Sequence, residues 1–179
     1  MSKLLVTADI HGSLSAWRRI RKILKPGDTL AVAGDLFDTR YGDRSSPDYD
    51  PEQIRKEFLG LGPESIETHI VYGNCDDPGY LDDFLPRTHF EFQGHSFFLN
   101  HGHMYLPDLT DIHVIIEGHS HTPRLDTLFD MVFLNPGSPS RPRNSAPGYA
   151  LVENGVIHLL ELSKHRVLDT LDLSQVSTA

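Results

Sequence analysis

Residues 3–12 read Lys3-Leu4-Leu5-Val6-Thr7-Ala8-Asp9-Ile10-His11-Gly12, a short aliphatic run that stops abruptly at an Asp-x-His-Gly tetrad. The run has strand length and no polar alternation, the pattern of a strand covered on both faces. Ser13 is placed to cap a helix over residues 14–24, where Leu14, Trp17, Ile20, Ile23 and Leu24 recur at the spacing of one helical face. Pro26-Gly27-Asp28 stops that helix, and residues 29–33 form a second apolar run. Strand, helix and strand in so short a span predict parallel pairing, because a crossover helix carries the chain back to the same end of the sheet.

Further along, residues 39–50 are polar and read as a loop or insertion. Asp50-Pro51 then opens a second helix, expected to end near residue 61, before Gly62-Pro63. A third strand is expected over 67–72 and a short helical segment over 82–85. Beyond residue 87 the pattern changes to short strands, at 88–92, 96–100, 113–117, 126–128, 132–134, 149–153, 156–162 and 166–173. Asn154-Gly155 is a two-residue hairpin signal, and a polar tail begins near residue 174. With no repeat, low-complexity tract or linker, residues 1–179 read as one α/β domain with two sheets.

The 179 residues suffice for one substantial core. No apolar run approaches the ~18 residues of a membrane span, and the N-terminal apolar stretch is too short for a signal peptide. Cys75, the one cysteine, excludes an intrachain disulfide and fits a reducing compartment, so a cytoplasmic location away from membranes is expected. A formal charge of −9 argues against stable nucleic-acid binding, although bound cations can reverse the field inside a cleft. Eleven histidines decide nothing by number; their places in the chain do.

Five predicted strands end in groups able to hold a metal: Asp9-Ile10-His11, Gly34-Asp35-Leu36-Phe37-Asp38, Gly73-Asn74-Cys75-Asp76, Asn100-His101-Gly102-His103 and Gly118-His119-Ser120-His121. In open α/β sheets ligands bind beyond the carboxyl ends of strands, so five such endings can converge on one cleft. Carboxylate and amide oxygens with imidazole nitrogens suit borderline-hard divalent cations, and no thiolate is required. Singly, each motif reads equally well as a turn, a helix cap or a surface histidine; their ordered recurrence after strands favours a metal site.

This ordered set resembles the calcineurin-like metallophosphoesterase superfamily. Cys75 within Gly73-Asn74-Cys75-Asp76, together with His101-Gly102-His103 and Asn135-Pro136-Gly137-Ser138, is similar to its small YfcE-like phosphodiesterase branch over roughly residues 3–160. The resemblance implies a four-layer fold, two mixed β-sheets face to face with helices outside. It also implies two divalent metal ions: Asp9, His11, Asp35 and His121 on one, and Asp35, Asn74, His101 and His119 on the other, with Asp35 as bridge. Manganese is expected first, with iron, zinc and nickel compatible. A hydroxide between the two metals would attack the phosphorus of a small phosphodiester, nucleotides among them. Asp35, Asn74, His101, Asp76 and His103 form the expected catalytic set. Asp38 and Asp76 act by orienting ligands, and His103 is a neighbour that contacts substrate or supports a ligand. Cys75 stands where much of the superfamily has a histidine that protonates the leaving group.

The same two-metal site would equally serve a phosphomonoesterase or a nucleotide pyrophosphatase. A protein-binding scaffold of the same fold, like the retromer subunit, is the reading from another class; the completeness of the ligand set here counts against it. The resemblance further implies a homo-oligomer, dimer or tetramer. Asn135, Gly137 and Ser138 read either as cleft-shaping residues or as a plain turn. Arg40, Arg44, Arg141 and Arg143 read more readily as solvated surface charge than as phosphate contacts.

Overall fold

A computed structural model describes residues 2–143 and 146–176. The opening unit is β1 (Leu4–Thr7), α1 (Leu14–Arg21) and β2 (Thr29–Ala33), and β1 and β2 pair in parallel as expected. Ser13 caps α1, its side chain accepting from the Ala16 amide. The helix stops three residues short of the predicted end, its last turn tightening as Ile23 N donates to Ile20 O and Leu24 N to Arg21 O. Then come α2 (Pro51–Leu59), capped by Asp50, and β3 (Glu67–Val71), parallel to β2.

The remaining strands are β4 (Arg87–Phe92), β5 (His95–Asn100), β6 (Val114–Ile116), β7 (Arg124–Leu128), β8 (Met131–Asn135), β9 (Gly148–Glu153), β10 (Val156–Glu161) and β11 (Val167–Asp172). They complete a six-stranded sheet in the order β11-β10-β9-β1-β2-β3 and form a five-stranded one in the order β4-β5-β6-β8-β7. Both sheets are mixed. The two pack face to face, and strand alternation divides the core. Leu4, Val6, Ala31 and Ala33 point inward against Phe97, Leu99, Val114, Ile116 and Val132 of the second sheet. Leu5, Leu30 and Val32 point outward, beneath Trp17 and Ile20 of α1 and Ile54 and Phe58 of α2. The helices thus flank the sandwich on the side of the six-stranded sheet.

The helix expected over residues 82–85 is absent. A 3-10 turn at Pro78–Tyr80 precedes it, Asp83 lies at φ 54°, where a right-handed helix cannot continue, and Leu85 forms a parallel bridge to Val71. Near the other end, Leu173–Gln175 form a 3-10 turn with Leu173 buried, and the final three residues lie outside those described.

Parallel pairing decides where function can sit. β1, β2 and β3 run in parallel within one sheet, as do β5, β6 and β8 within the other. The loops that leave β1, β2, β3, β5 and β6 carry the five polar motifs, and the contacts described next bring them together.

Candidate metal centre

Beyond β1 and β2 the chain continues as two paired loops. Asp9 N donates to Gly34 O (3.0 Å), His11 N to Asp35 O (2.8 Å) and Gly12 N to Leu36 O (3.0 Å). This ladder holds Asp9, His11, Asp35 and Asp38 in the left-handed region, at φ between 52° and 55°; His119 and His121 join them at 66° and 58°. Non-glycine residues cost energy in that region and cluster where side chains must be aimed at a common point. Two glycines let the loops close. A Cβ on Gly73 would lie 2.0 Å from Asp35 Oδ1, and one on Gly118 would lie 2.6 Å from Ala33 O and 2.9 Å from Asp9 Oδ2.

Three imidazoles are anchored through Nδ1 to atoms that can only accept. His11 Nδ1 donates to Asp38 Oδ2 (3.0 Å), His101 Nδ1 to Ala33 O (2.7 Å) and His121 Nδ1 to Arg141 O (2.8 Å). In a neutral ring this fixes the tautomer and leaves an Nε2 lone pair aimed inward. His11 Nε2 and His121 Nε2 then face each other at 3.1 Å, with Asp9 Oδ1 3.8 Å from the former and 3.4 Å from the latter. Asp9 is fully buried, and its Oδ1 has no hydrogen-bond partner while Oδ2 accepts from His119 N (2.9 Å). Two lone pairs and an orphaned carboxylate oxygen converging on one point repel unless a proton or a cation lies between them. These residues fit a divalent cation.

A second convergence adjoins the first. His101 Nε2 lies 3.3 Å from Asp35 Oδ2 and 3.2 Å from Asn74 Oδ1, and Asp35 Oδ2 is also 3.9 Å from His11 Nε2. Potential ligand atoms lie within 4.8 Å of one another in the groups Asp9, His11, His121 and Asp9, Asp35, His101, so Asp9 is common to both while Asp35 reaches toward both. His119, assigned by resemblance to the second metal, stands apart. It is exposed, and its ring centroid lies 5.2 Å from that of His101. His103 sits on the same side, 5.2 Å from His101 and 6.4 Å from His119, with a buried Nδ1 lacking a partner.

Asp76 lies beneath the ligands, not among them. Fully buried, its Oδ1 accepts from the Phe37 and Asp38 amides (both 3.0 Å) and its Oδ2 from Gly73 N (3.2 Å), so it ties the loop after β2 to the loop after β3. Burial and the charge of Asp35 push its pKa up to about 6 despite those donors. Asp35 goes the other way: burial alone would raise it, but His101 and the Cys75 amide hold it well below the usual carboxylate range. His121 is raised by the nearby carboxylate of Asp9. His101 is raised by Asp35 against the opposing effect of burial. The carboxylates that draw protons onto these rings would equally draw cations. Cys75 keeps its proton, since burial and Asp35 push the thiol far up.

Three further residues hold the frame. Asn135, which sequence reading left between cleft-shaping and plain turn, donates through Nδ2 to Gly118 O (2.7 Å) and accepts from Gly137 N (2.9 Å). Ser138 Oγ donates to Asp9 O (2.6 Å) and accepts from Arg141 N (2.8 Å). Asn100, not singled out from sequence, bonds Ile116 O (3.2 Å) and Gly102 N (2.7 Å) in the same manner, its one signal being an amide at a strand end. Arg141 is the residue that sequence reasoning undervalued: Nη1 pairs with Asp38 Oδ2 at 3.1 Å, and the half-exposed side chain lines the cleft. That cleft, about 570 Å3, is bounded by His11, Asp35, Asn74, His119, His121 and Arg141, among others.

Two mixed sheets with histidines, carboxylates and an amide on converging strand ends define a phosphoesterase site, and residues 2–155 match the family model of the calcineurin-like phosphoesterase superfamily domain. The chain belongs to that superfamily, whose members are hydrolytic enzymes that work with divalent metals. It is 28% identical to the phosphodiesterase YfcE of Escherichia coli K12, over 94% of this chain and 96% of that one. It is 30% identical to a probable metallophosphoesterase of Mycoplasma pneumoniae, over 80% and 83%. Among solved structures, the E. coli phosphoesterase YfcE superposes with a TM-score of 0.78 at 25% identity, covering 96% of this chain and 99% of that one. Zinc-complexed Vps29 of Entamoeba histolytica shares the fold, with a TM-score of 0.67 at 19% identity and coverage of 96% and 99%.

Proposed function

We propose that this protein is a dinuclear-metal phosphodiesterase acting on small phosphodiesters, its site built within a single domain. The observation that carries the reading is the pair of Nε2 atoms of His11 and His121 facing each other at 3.1 Å, with their Nδ1 atoms already committed to acceptors. In this reading Asp9, His11, Asp35 and His121 hold one cation and Asp35, Asn74, His101 and His119 the other. His119 stands beside His101, its ring centroid 5.2 Å away. Manganese is the first candidate, because oxygen and imidazole donors suit it and Cys75 withholds a thiolate. When bound, such cations would supply Lewis acidity toward the phosphoryl oxygens and would lower the pKa of an attacking water.

The chain's own residues do the rest. Asp38 and the carbonyls of Ala33 and Arg141 hold three rings in register, so little reorganisation is needed when substrate arrives. Asp76 fixes the loops that carry Asp35 and Asn74. The Arg141 guanidinium, at the rim of the cleft, has donors beyond the one spent on Asp38 and is placed to hold a phosphoryl oxygen. His103 approaches from the other side, beside His101 and His119.

Metal-stripped protein assayed on bis(p-nitrophenyl) phosphate and p-nitrophenyl phosphate, with each divalent metal added back, tests this. Diester turnover restored by metal and lost in Asp35→Asn is expected. A preference for the monoester would replace the diester reading, and no turnover with two ions bound would favour the scaffold reading.

A further inference from the structure

A phosphodiester carries two organic groups, and a second cleft adjoins the first. It measures about 270 Å3 and shares His11 and Arg141 with the larger one, so the two meet where a phosphoryl group would be held. Its far wall is the polar segment 39–50, which is pinned to the metal-bearing loop. Leu14 N donates to Asp48 O (2.9 Å), Asp50 N to Gly12 O (2.9 Å) and Tyr49 Oη to Asp38 O (2.9 Å). The wall is therefore set before a ligand arrives.

Its chemistry is largely one-sided: of the four hydroxyls among its described lining residues, only that of Ser46 donates to no protein acceptor. Three of its hydroxyl protons are already committed: Ser13 Oγ to Asp48 Oδ2 (2.5 Å), Tyr49 Oη to Asp38 O and Ser140 Oγ to Asp9 O (3.1 Å). Those oxygens can then only accept from a ligand. Asp43 and Asp48 add carboxylates, and both are held below the usual carboxylate range: Asp43 by its bonds from Ser45, Asp48 by Ser13 and Ser15 against the opposing effect of burial. Among the described residues that line this cleft, Arg141 is the one with a permanently cationic side chain, and it stands at the shared edge. An acceptor-rich, negatively charged wall selects groups that donate hydrogen bonds and carry no negative charge.

We propose that this cleft seats the second ester group of the substrate, and that the group is an uncharged alcohol bearing several hydroxyls, not a phosphate-bearing one. The inference rests on the phosphodiesterase reading. It excludes esters of nucleoside oligophosphates as preferred substrates while admitting polyol diesters.

The test uses the metal-loaded protein and two p-nitrophenyl phosphodiesters that differ only in the other alcohol, glycerol in one and glycerol with a terminal phosphate in the other. The glyceryl diester is expected to be favoured roughly tenfold in kcat/KM. Asp43→Asn keeps the side-chain oxygen that accepts from Ser45 but removes the charge, and should narrow that ratio at least threefold, mainly through KM for the phosphorylated ester. Equal kcat/KM for the two esters in the parent protein overturns the proposal, as does a ratio untouched by Asp43→Asn. Failure to hydrolyse bis(p-nitrophenyl) phosphate with any metal would instead overturn the phosphodiesterase reading itself, so the two failures are told apart.

Discussion

An imidazole that binds metal through Nε2 needs its Nδ1 proton anchored, and Asp38 provides that anchor for His11 while balancing its charge against Arg141. Asp38→Ala should weaken metal binding ~10–100-fold, measured by manganese titration calorimetry, with the fold intact by circular dichroism. Unchanged affinity would remove Asp38 from this role. Gly118 acts by what it lacks: any Cβ there would press on Ala33 O and on Asp9 Oδ2. Gly118→Ala should cost ~1–3 kcal/mol in urea unfolding. The same variant should displace Asp9 enough to lower metal affinity. At this scale sequence was most informative where a ligand stands within two residues of an apolar run, as Asp9, Asp35 and His101 do. It left Ser138 between cleft and turn, favoured plain surface charge for Arg141 and did not single out Asn100, because each works through a backbone carbonyl or amide whose partner is set only when distant loops meet. It also cannot tell a ring from a backbone amide: the bond His119 makes into the centre comes from its N–H to Asp9.

Between β1 and β2, Asp28 shows how a turn is locked. It accepts from Lys3 N (3.2 Å), Lys25 N (2.8 Å) and Lys3 Nζ, joining the start of β1 to the turn that feeds β2. Burial pushes its pKa up, but the bonds from Lys3 and Lys25 outweigh that and leave it lowered. A lowered folded-state pKa contributes stability above the unfolded value of ~3.9, and that contribution fades as pH falls through the folded value. Asp28→Asn should therefore cost ~1–2 kcal/mol at pH 7, the gap from the parent closing in acid. Urea melts at pH 7 and pH 3 check this, and a gap of constant size would refute it. Elements with a local signal were legible in the sequence. The β1–α1–β2 unit follows from its periodicity, and the β9–β10 hairpin from Asn154-Gly155, both at positive φ. The β7–β8 hairpin turns through Phe129-Asp130, also both at positive φ, a pair without glycine that no composition rule marks. There the pairing of the strands overrides local preference.

Over the whole molecule, Asp9, His11, Asp35 and Asn74 follow strands of the six-stranded sheet, whereas His101, His119 and His121 follow strands of the other. Bound cations would fasten one sheet to the other and relieve repulsion among buried carboxylates. Chelation should lower the melting temperature, and metal at ~100 times its Kd should restore ~2.7 kcal/mol, read by scanning calorimetry. Asp35→Asn should show a smaller increment. The arrangement of the sheets has a consequence for how the protein is made. The five-stranded sheet is one continuous stretch, β4 to β8, set between β3 and β9, and β1 is flanked by β2 on one side and β9 on the other. On the ribosome, β1 emerges before its neighbour β9 and waits with one edge unpaired until residues 148–153 appear. Asp9 and Asp35 likewise wait for His101 and His121, so the nascent chain carries an acidic half-site until those histidines appear. The full ligand set, and with it the choice of metal, is available only after His121 has emerged.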